Sequence, residues 1–299
     1  MGGFIAEYGE WQWAFRSLSI FSLLIQLGGL FFLRESYPPY LLGKKARSLR
    51  KQTGNKKLRT EWESEDVTLL KILKVSMSRP WILLGTQPII QIIALYQAFN
   101  YGMLYLFISQ FADMWMKQYH MKPSIASLNY ISLAVGSFVG SQICGPLMDW
   151  CYNKLKALHG NEEKPEYRIP LMLPAAIVEP ISILAYGWSV ECRAHWIIPN
   201  IAVALFMGSS MIIYQGLQLY ITDAYKIYSA SASAATMFLK SIFAFIFPLF
   251  AVWLYRALGY GWSATVLAAT AVVIGIPAPI LLWKFGEKLR ARSPYAAGG

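Results

Sequence analysis

Among the ionisable side chains inside or at the ends of long apolar stretches, where a charge has chemical consequences, Asp149, Arg168, Glu179, Asp223 and Lys240 are the candidates for chemistry. Such a group at membrane depth is a candidate for proton transfer, charge pairing or substrate contact, because it is expensive to keep there without a partner. Asp149 closes the stretch GSFVGSQICGPLMD, residues 136–149, and Arg168 stands just beyond a short polar loop. Both are therefore expected at one membrane surface and within reach of each other, either as a latch or as a surface ion pair of little energetic weight. Glu179, mid-run beside Pro180, is either a proton carrier or a neutral acid hydrogen-bonded among helices. Lys240 is expected to contact an anion or to pair with Glu179 or Asp223, and Asp223, at the end of its run, to gate or to cap a helix.

Uncharged polar residues form two further sets. Gln87, Gln91, Tyr101 and Tyr105, with Asn100 adjacent, recur at spacings near a helical turn on one run, and Tyr214, Gln215, Gln218 and Thr222 do so on another. They either line a cavity or knit helices together by hydrogen bonds. An aromatic, amphipathic cavity of this kind suits bulky apolar or cationic organic molecules better than sugars or inorganic ions. Gly136 with Gly140, and Ser137 with Ser141, repeat at four-residue spacing, the pattern by which one membrane helix presses closely on another.

The elements that must position these groups follow from composition. Of 299 residues 56% are hydrophobic and 14% charged, with a mean hydropathy of +0.40; a soluble domain carries about a quarter charged residues. Lipid is the implied solvent, and the expected fold is an all-α membrane protein. Apolar runs at 18–33, 81–111, 124–149, 169–190, 196–222, 229–255 and 262–283 give seven spans. Prolines 88, 146, 174, 180, 248, 277 and 279 lie inside them, which membrane bundles tolerate because neighbouring helices satisfy the freed carbonyls. Residues 34–80 change character, with Pro38-Pro39, a basic cluster from Lys44 to Arg59 and the acids Glu61, Glu63, Glu65 and Asp66; a surface helix is expected over 41–51. The aromatic cluster at Trp11 and Trp13 belongs where a helix meets headgroups. Neither a basic n-region nor a cleavage site opens the chain, so no signal peptide is expected.

The net charge of +11 sorts by side. Of 27 Lys and Arg, only Arg16, Lys117, Lys122, Arg193 and Arg256 fall on one side, Lys240 lies within a run, and the rest share the other side with the C-terminus. The positive-inside rule places that basic side in the cytoplasm. The basic excess is then topology and lipid contact, and no nucleic-acid partner is implied. Cys144, Cys151 and Cys192 offer no disulfide framework, and the scattered His120, His159 and His195 offer no metal site. No cluster of nucleophile, acid and base is visible, so no enzyme and no cofactor are expected.

Motifs along the whole length carry a resemblance. GGFIAEYGEWQW, RESYPPYLLGKKARSLRKQTGN, QPIIQIIALYQAFNYGMLYL, GPLMDW with PEYRIP, ILAYGW, YITDAYKIYSASASAA, FPLF and LGYGW together resemble the major facilitator superfamily, and within it the twelve-span drug:proton antiporter branch common in fungi. The resemblance implies a helical bundle made of the second six-helix half plus the span before it. Gly2-Gly3 look like the end of the fifth-span glycine signature. Residues 1–16 then correspond to a remnant of that span and its outer loop, 17–33 to the sixth span, 34–80 to the central cytoplasmic loop, 81–290 to the second bundle, and 291–299 to the tail. It further implies that Gly145, Asp149 and Arg168 form the second-half copy of a loop motif that stabilises the state closed to the cytoplasm, and that the two polar stripes line the seventh and tenth spans. Lys240 stands where an eleventh-span arginine is frequent. The expected activity is export of drug-like or toxic organic molecules by proton antiport across the plasma membrane, with polyamine export as the alternative. Because most of a first half is not represented, a transport-incompetent half-transporter is the third expectation. The Gly136 and Gly140 face is then expected to press on a second bundle or to self-associate.

Overall fold

The computed structural model of the 299-residue chain describes residues 4–5, 10, 12–55, 58–60, 69–291, 293 and 295. Gly2, Gly3, Trp11, the acids Glu61, Glu63, Glu65 and Asp66, and most of the tail lie outside the described residues. All regular structure among the described residues is helical, as a backbone in hydrocarbon requires when it can satisfy its polar groups only internally. The chain divides into two compact units, Met1–Ser76 and Met77–Gly299.

The first unit holds α1, Gln12–Phe32, and α2, Pro38–Thr53. Helix α1 is largely apolar and has no buried residue, a surface suited to lipid. Helix α2 starts with Pro in its first turn, where no intrahelical N–H is needed. It ends at Gly54, whose φ of 68° lets its N–H close back on Arg50 O at 3.0 Å. Arg50 and Lys51 in the last turn complement the helix C-terminus. This helix is the surface element expected over 41–51, extended at both ends.

Next come α3, Leu69–Thr86, and α4, Pro88–Gln118. The expected run 81–111 is broken between them, because Pro88 forces Gln87 out of the helical region, to φ −107° and ψ 103°. Pro88 has no N–H to offer the carbonyl four residues back, and the side chain of Gln91 replaces it: Nε2 donates to Leu84 O at 2.9 Å and to Gly85 O at 3.2 Å. The second unit continues with α5, Pro123–Leu128; α6, Tyr130–Leu158; a 3-10 turn, Pro165–Arg168; α7, Met172–Glu191; and α8, Ile197–Tyr225. A second 3-10 turn, Lys226–Tyr228, leads to α9, Ser229–Gly275, and then to α10, Pro277–Arg290.

Helix α9 is two spans. At Gly259 the backbone adopts φ 74° and ψ 178°, a region open to glycine. Ser263 Oγ then reaches Leu254 O at 3.1 Å, whereas nine residues of straight helix would separate them by about 13 Å. The chain therefore turns back between 229–258 and 260–275. Glu191, at the end of α7, holds the turn: its Oε2 accepts from Tyr260 N at 2.8 Å and Gly261 N at 3.2 Å, an anion on the first free amides of the new helix. With α1, α4, α5 to α6, α7, α8 and these two segments, the second extended by α10, the seven expected spans are accounted for.

Within the second unit α8 is central, with α6 on one side and α7 on the other, while α9 packs on α4 and α7. The core has two parts. One gathers Ile89, Ile93, Tyr96, Met172, Leu217 and Tyr220, the other Phe99, Phe107, Phe111, Trp115, Tyr186 and Phe206. Helices α6 and α8 approach closely, backbone on backbone. A Cβ added to Gly140 would lie 2.5 Å from Gly208 O, and one added to Gly136 would collide with Ala204 O. The glycine face expected to meet a second bundle is instead seated on α8 of its own. Gly145, on the same helix, has open space around it.

Gly140→Leu should separate α6 from α8 and cost about 1–3 kcal/mol, read as a lower melting temperature in detergent. Gly145→Leu meets open space and only the local crowding of the following Pro146, so it should lower that temperature by less. Equal effects of the two substitutions would contradict this packing.

Candidate functional site

The Pro165–Arg168 turn grips three helices. Arg168 Nε donates to Asp223 Oδ2 at 2.5 Å and Nη1 to Asp149 Oδ1 at 3.3 Å, with the guanidinium 4.8 Å above the Tyr152 ring. Its side chain is 14% exposed, that of Asp223 31% and that of Asp149 70%. The expected Asp149–Arg168 pair is present, but the shorter and drier bond goes to Asp223 at the end of α8. Two residues earlier, Glu166 is buried and accepts from Arg290 through Nε at 3.3 Å and Nη2 at 3.1 Å. Tyr220 Oη adds a third bond to the same carboxylate at 3.2 Å. One short turn thus joins α6 and α8 through its arginine and α10 through its glutamate. Around it lies an exposed fringe: Lys156 sits 2.7 Å from Glu163 and holds that carboxyl below the usual carboxylate range, and Lys164 contacts both Glu162 and Glu287.

A cavity of about 260 Å³ lies deeper, between α4, α6, α8 and the first segment of α9. Gln97, Asn100 and Tyr101 reach it from α4, Ser137 from α6, Ser210 and Tyr214 from α8, and Lys240 from α9. Lys240 Nζ stands 4.3 Å from the Tyr101 ring centre and 4.8 Å from that of Tyr214, a cation held between two aromatic faces. A second cavity of about 400 Å³ shares Gln97, Tyr214 and Lys240 and adds Gln218 and Ser233. The expected pairing of Lys240 with Glu179 or Asp223 does not occur. Asp223 is taken by Arg168, and Glu179, buried at mid-helix, accepts from Ser210 Oγ at 3.3 Å. Because Ser210 lines the cavity, Glu179 connects to it through a single hydroxyl.

The two polar stripes are split by the fold. Asn100, Tyr101 and Tyr214 line the central cavity, Gln218 lines its neighbour, and Tyr105 lies 5.0 Å from the Tyr101 ring. Gln87 donates to Thr86 Oγ1 at the α3–α4 break, Gln91 repairs that break, and Gln215 donates to Ser141 Oγ at 2.7 Å. These three knit helices. Thr222 lies beside Asp223 near the ion network. Gln97, Ser137 and Ser210 were not anticipated. For Gln97 the signal was present, since it stands three and four residues before Asn100 and Tyr101 on one helix face. Among the described residues no group of His, Cys, Asp and Glu is placed to hold a metal, and Cys144, Cys151 and Cys192 are free.

Comparison with known proteins adds sequence kinship to this geometry. The signature of the Major Facilitator Superfamily matches residues 1–248. The efflux pump vrtL of Penicillium aethiopicum is 43% identical over 99% of this chain and 58% of its own length. An uncharacterized transporter of Schizosaccharomyces pombe is 40% identical over 98% of this chain and 60% of its own, and the transporter oryF of Aspergillus oryzae 39% over 98% and 60%. The chain thus spans about three-fifths of the length of these relatives. No solved structure shows significant similarity to it.

The burial of each acid predicts a rank order of substitutions in the ion network. Glu166→Ala strips buried Arg290 of its carboxylate and should be the most destabilising, by about 3–5 kcal/mol. Asp223→Ala should be intermediate, and Asp149→Ala should change stability by less than about 1 kcal/mol. Thermal unfolding in detergent reads the order, and an Asp149 effect exceeding that of Asp223 would contradict it.

Proposed function

The chain belongs to the major facilitator superfamily, and on that premise we propose that it is the cargo-binding half of a secondary active exporter of bulky organic molecules. The observation that carries the reading is the central cavity, with its aromatic walls, a few converging polar groups and one buried cation, the composition expected of a small-molecule site. Transport proceeds by alternating access, in which this bundle rocks against a second one around a site near mid-membrane. Arg168 serves as the gate: its bonds to Asp149 and Asp223 tie α6 to the end of α8 in the closed state and must loosen when that side opens.

Proton antiport is part of the proposal. Glu179 is buried at mid-span and touches the cavity through Ser210, the placement from which a carboxyl can trade a proton against cargo. We place the protein in the plasma membrane with its C-terminus in the cytoplasm, on the distribution of its Lys and Arg residues. The family match itself supports a transporter and not an enzyme.

Accumulation of the neutral lipophilic dye Nile red tests the function. Cells expressing the protein, alone or with the remaining segment of a relative, should retain several-fold less dye than control cells, and a protonophore should abolish the difference. Glu179→Gln should reproduce the protonophore effect. Unchanged accumulation in both settings would replace export with the transport-incompetent reading, and export that survives both protonophore and substitution would remove proton coupling.

A further inference from the structure

The charges around the central cavity narrow the class of cargo. Lys240 is buried on the cavity wall, with Nζ above the faces of Tyr101 and Tyr214. Ring faces hold a cation in place without neutralising it, since their attraction comes from a quadrupole and not from a charge. Neither of the two cavities that Lys240 borders has an acid among its lining residues. The two acids expected to pair with it are otherwise engaged: Glu179 accepts from Ser210, and Asp223 is bound by Arg168. Among the described residues Lys240 donates no hydrogen bond, so its N–H groups are available to an oxygen anion.

A second donor points the same way. Gln97 lines both cavities, is buried, and its Nε2 has no hydrogen-bond partner. A buried amide N–H left unmatched is destabilising, and an acceptor on a bound molecule would relieve it. Asn100, Ser137 and Ser210 add polar groups, and the buried Asn100 Oδ1, without a partner among the described residues, suits a hydroxyl on the same molecule; the rest of the wall is phenol ring, Met, Leu and Ile, which favours a flat apolar frame.

We propose that this cavity selects aromatic acids, molecules carrying a carboxylate or phenolate on an apolar ring system, with Lys240 as the anion-binding group and Gln97 as the second donor. The proposal rests on the reading of the central cavity as the cargo site and names its ligand class. It runs against the expectation of cationic cargo, and against polyamines in particular, because an unneutralised ammonium in a cavity of low dielectric repels another cation.

A matched series on one frame tests it: 1-naphthoic acid, 1-naphthalenemethanol and 1-naphthylmethylamine, measured near neutral pH by equilibrium dialysis against the purified protein in detergent, with protein-free micelles subtracted. The acid should bind about tenfold or more tighter than the amine, with the alcohol between them. Lys240→Met should erase the preference and keep binding of the alcohol, and Lys240→Arg should retain the preference. Equal or tighter binding of the amine by the unsubstituted protein overturns the proposal whether or not either variant folds, as does full retention of the preference in Lys240→Met. Binding of the alcohol without charge preference leaves the cargo site standing and removes only the selectivity. If none of the three binds, the cargo-site reading fails and the selectivity with it.

Discussion

A charge inside a membrane protein has no water to turn to, so it must find its partner within the fold or stay neutral. That constraint orders this molecule from the end bearing the 159–164 loop to the membrane middle. At the loop end, where solvent is near, Arg168 and Glu166 take opposite charges on three different helices. Deeper, Glu179 has a single hydroxyl for company and Lys240 two aromatic rings. The groups that are fully paired hold helices together. The two that are incompletely matched are those that touch the cavity, and this division separates scaffold from site.

The scaffold itself relies on close backbone approach. Between helices in lipid there is little hydrophobic gain from association, so contact area and van der Waals fit decide which pairs form. Gly136 and Gly140 let α6 settle on Ala204 and Gly208 of α8. The same register turns Ser137 toward the cavity and lets Ser141 accept from Gln215. Packing on one face of α6 thus fixes what the helix offers to cargo on another. At the far end of the bundle, Glu191 on the amides after Gly259 sets where the 229–258 segment turns back, and so where Lys240 sits along its span.

Span number, helix type and the existence of an Asp149–Arg168 contact were legible in the sequence, because apolar length and a short connecting loop are local properties. Partner identity was not. Asp223 lies 55 residues from Arg168, and nothing in the spacing says that α8 ends beside the Pro165–Arg168 turn. Glu166 was passed over because a glutamate in a polar loop reads as solvated, whereas Arg290, 124 residues on, buries it. The polar stripe on α4 was read as one face of a single helix; Pro88 divides that helix, so Gln87 and Gln91 serve the break and only Asn100 and Tyr101 reach the cavity. Lys240 was expected to contact an anion or to pair with Glu179 or Asp223; neither acid reaches it, and the fold sets it between tyrosines from two other helices. Proline breaks and glycine contacts act locally, and the choice among distant charges is made only when helices pack.

On the proposed reading of the central cavity as the cargo site, a water-accessible path runs past Ser137 while the adjoining face of α6 looks away from it. Ser137 lines the cavity, and its neighbour Phe138 is 66% exposed on the outer surface of the bundle. Single cysteines at these two positions, in a protein whose own Cys144, Cys151 and Cys192 have been replaced, can be treated with a negatively charged, water-soluble thiol reagent in membranes opened to both sides. The account predicts rapid labelling of Ser137→Cys and none of Phe138→Cys. Labelling of both alike, or of Phe138→Cys alone, would contradict it.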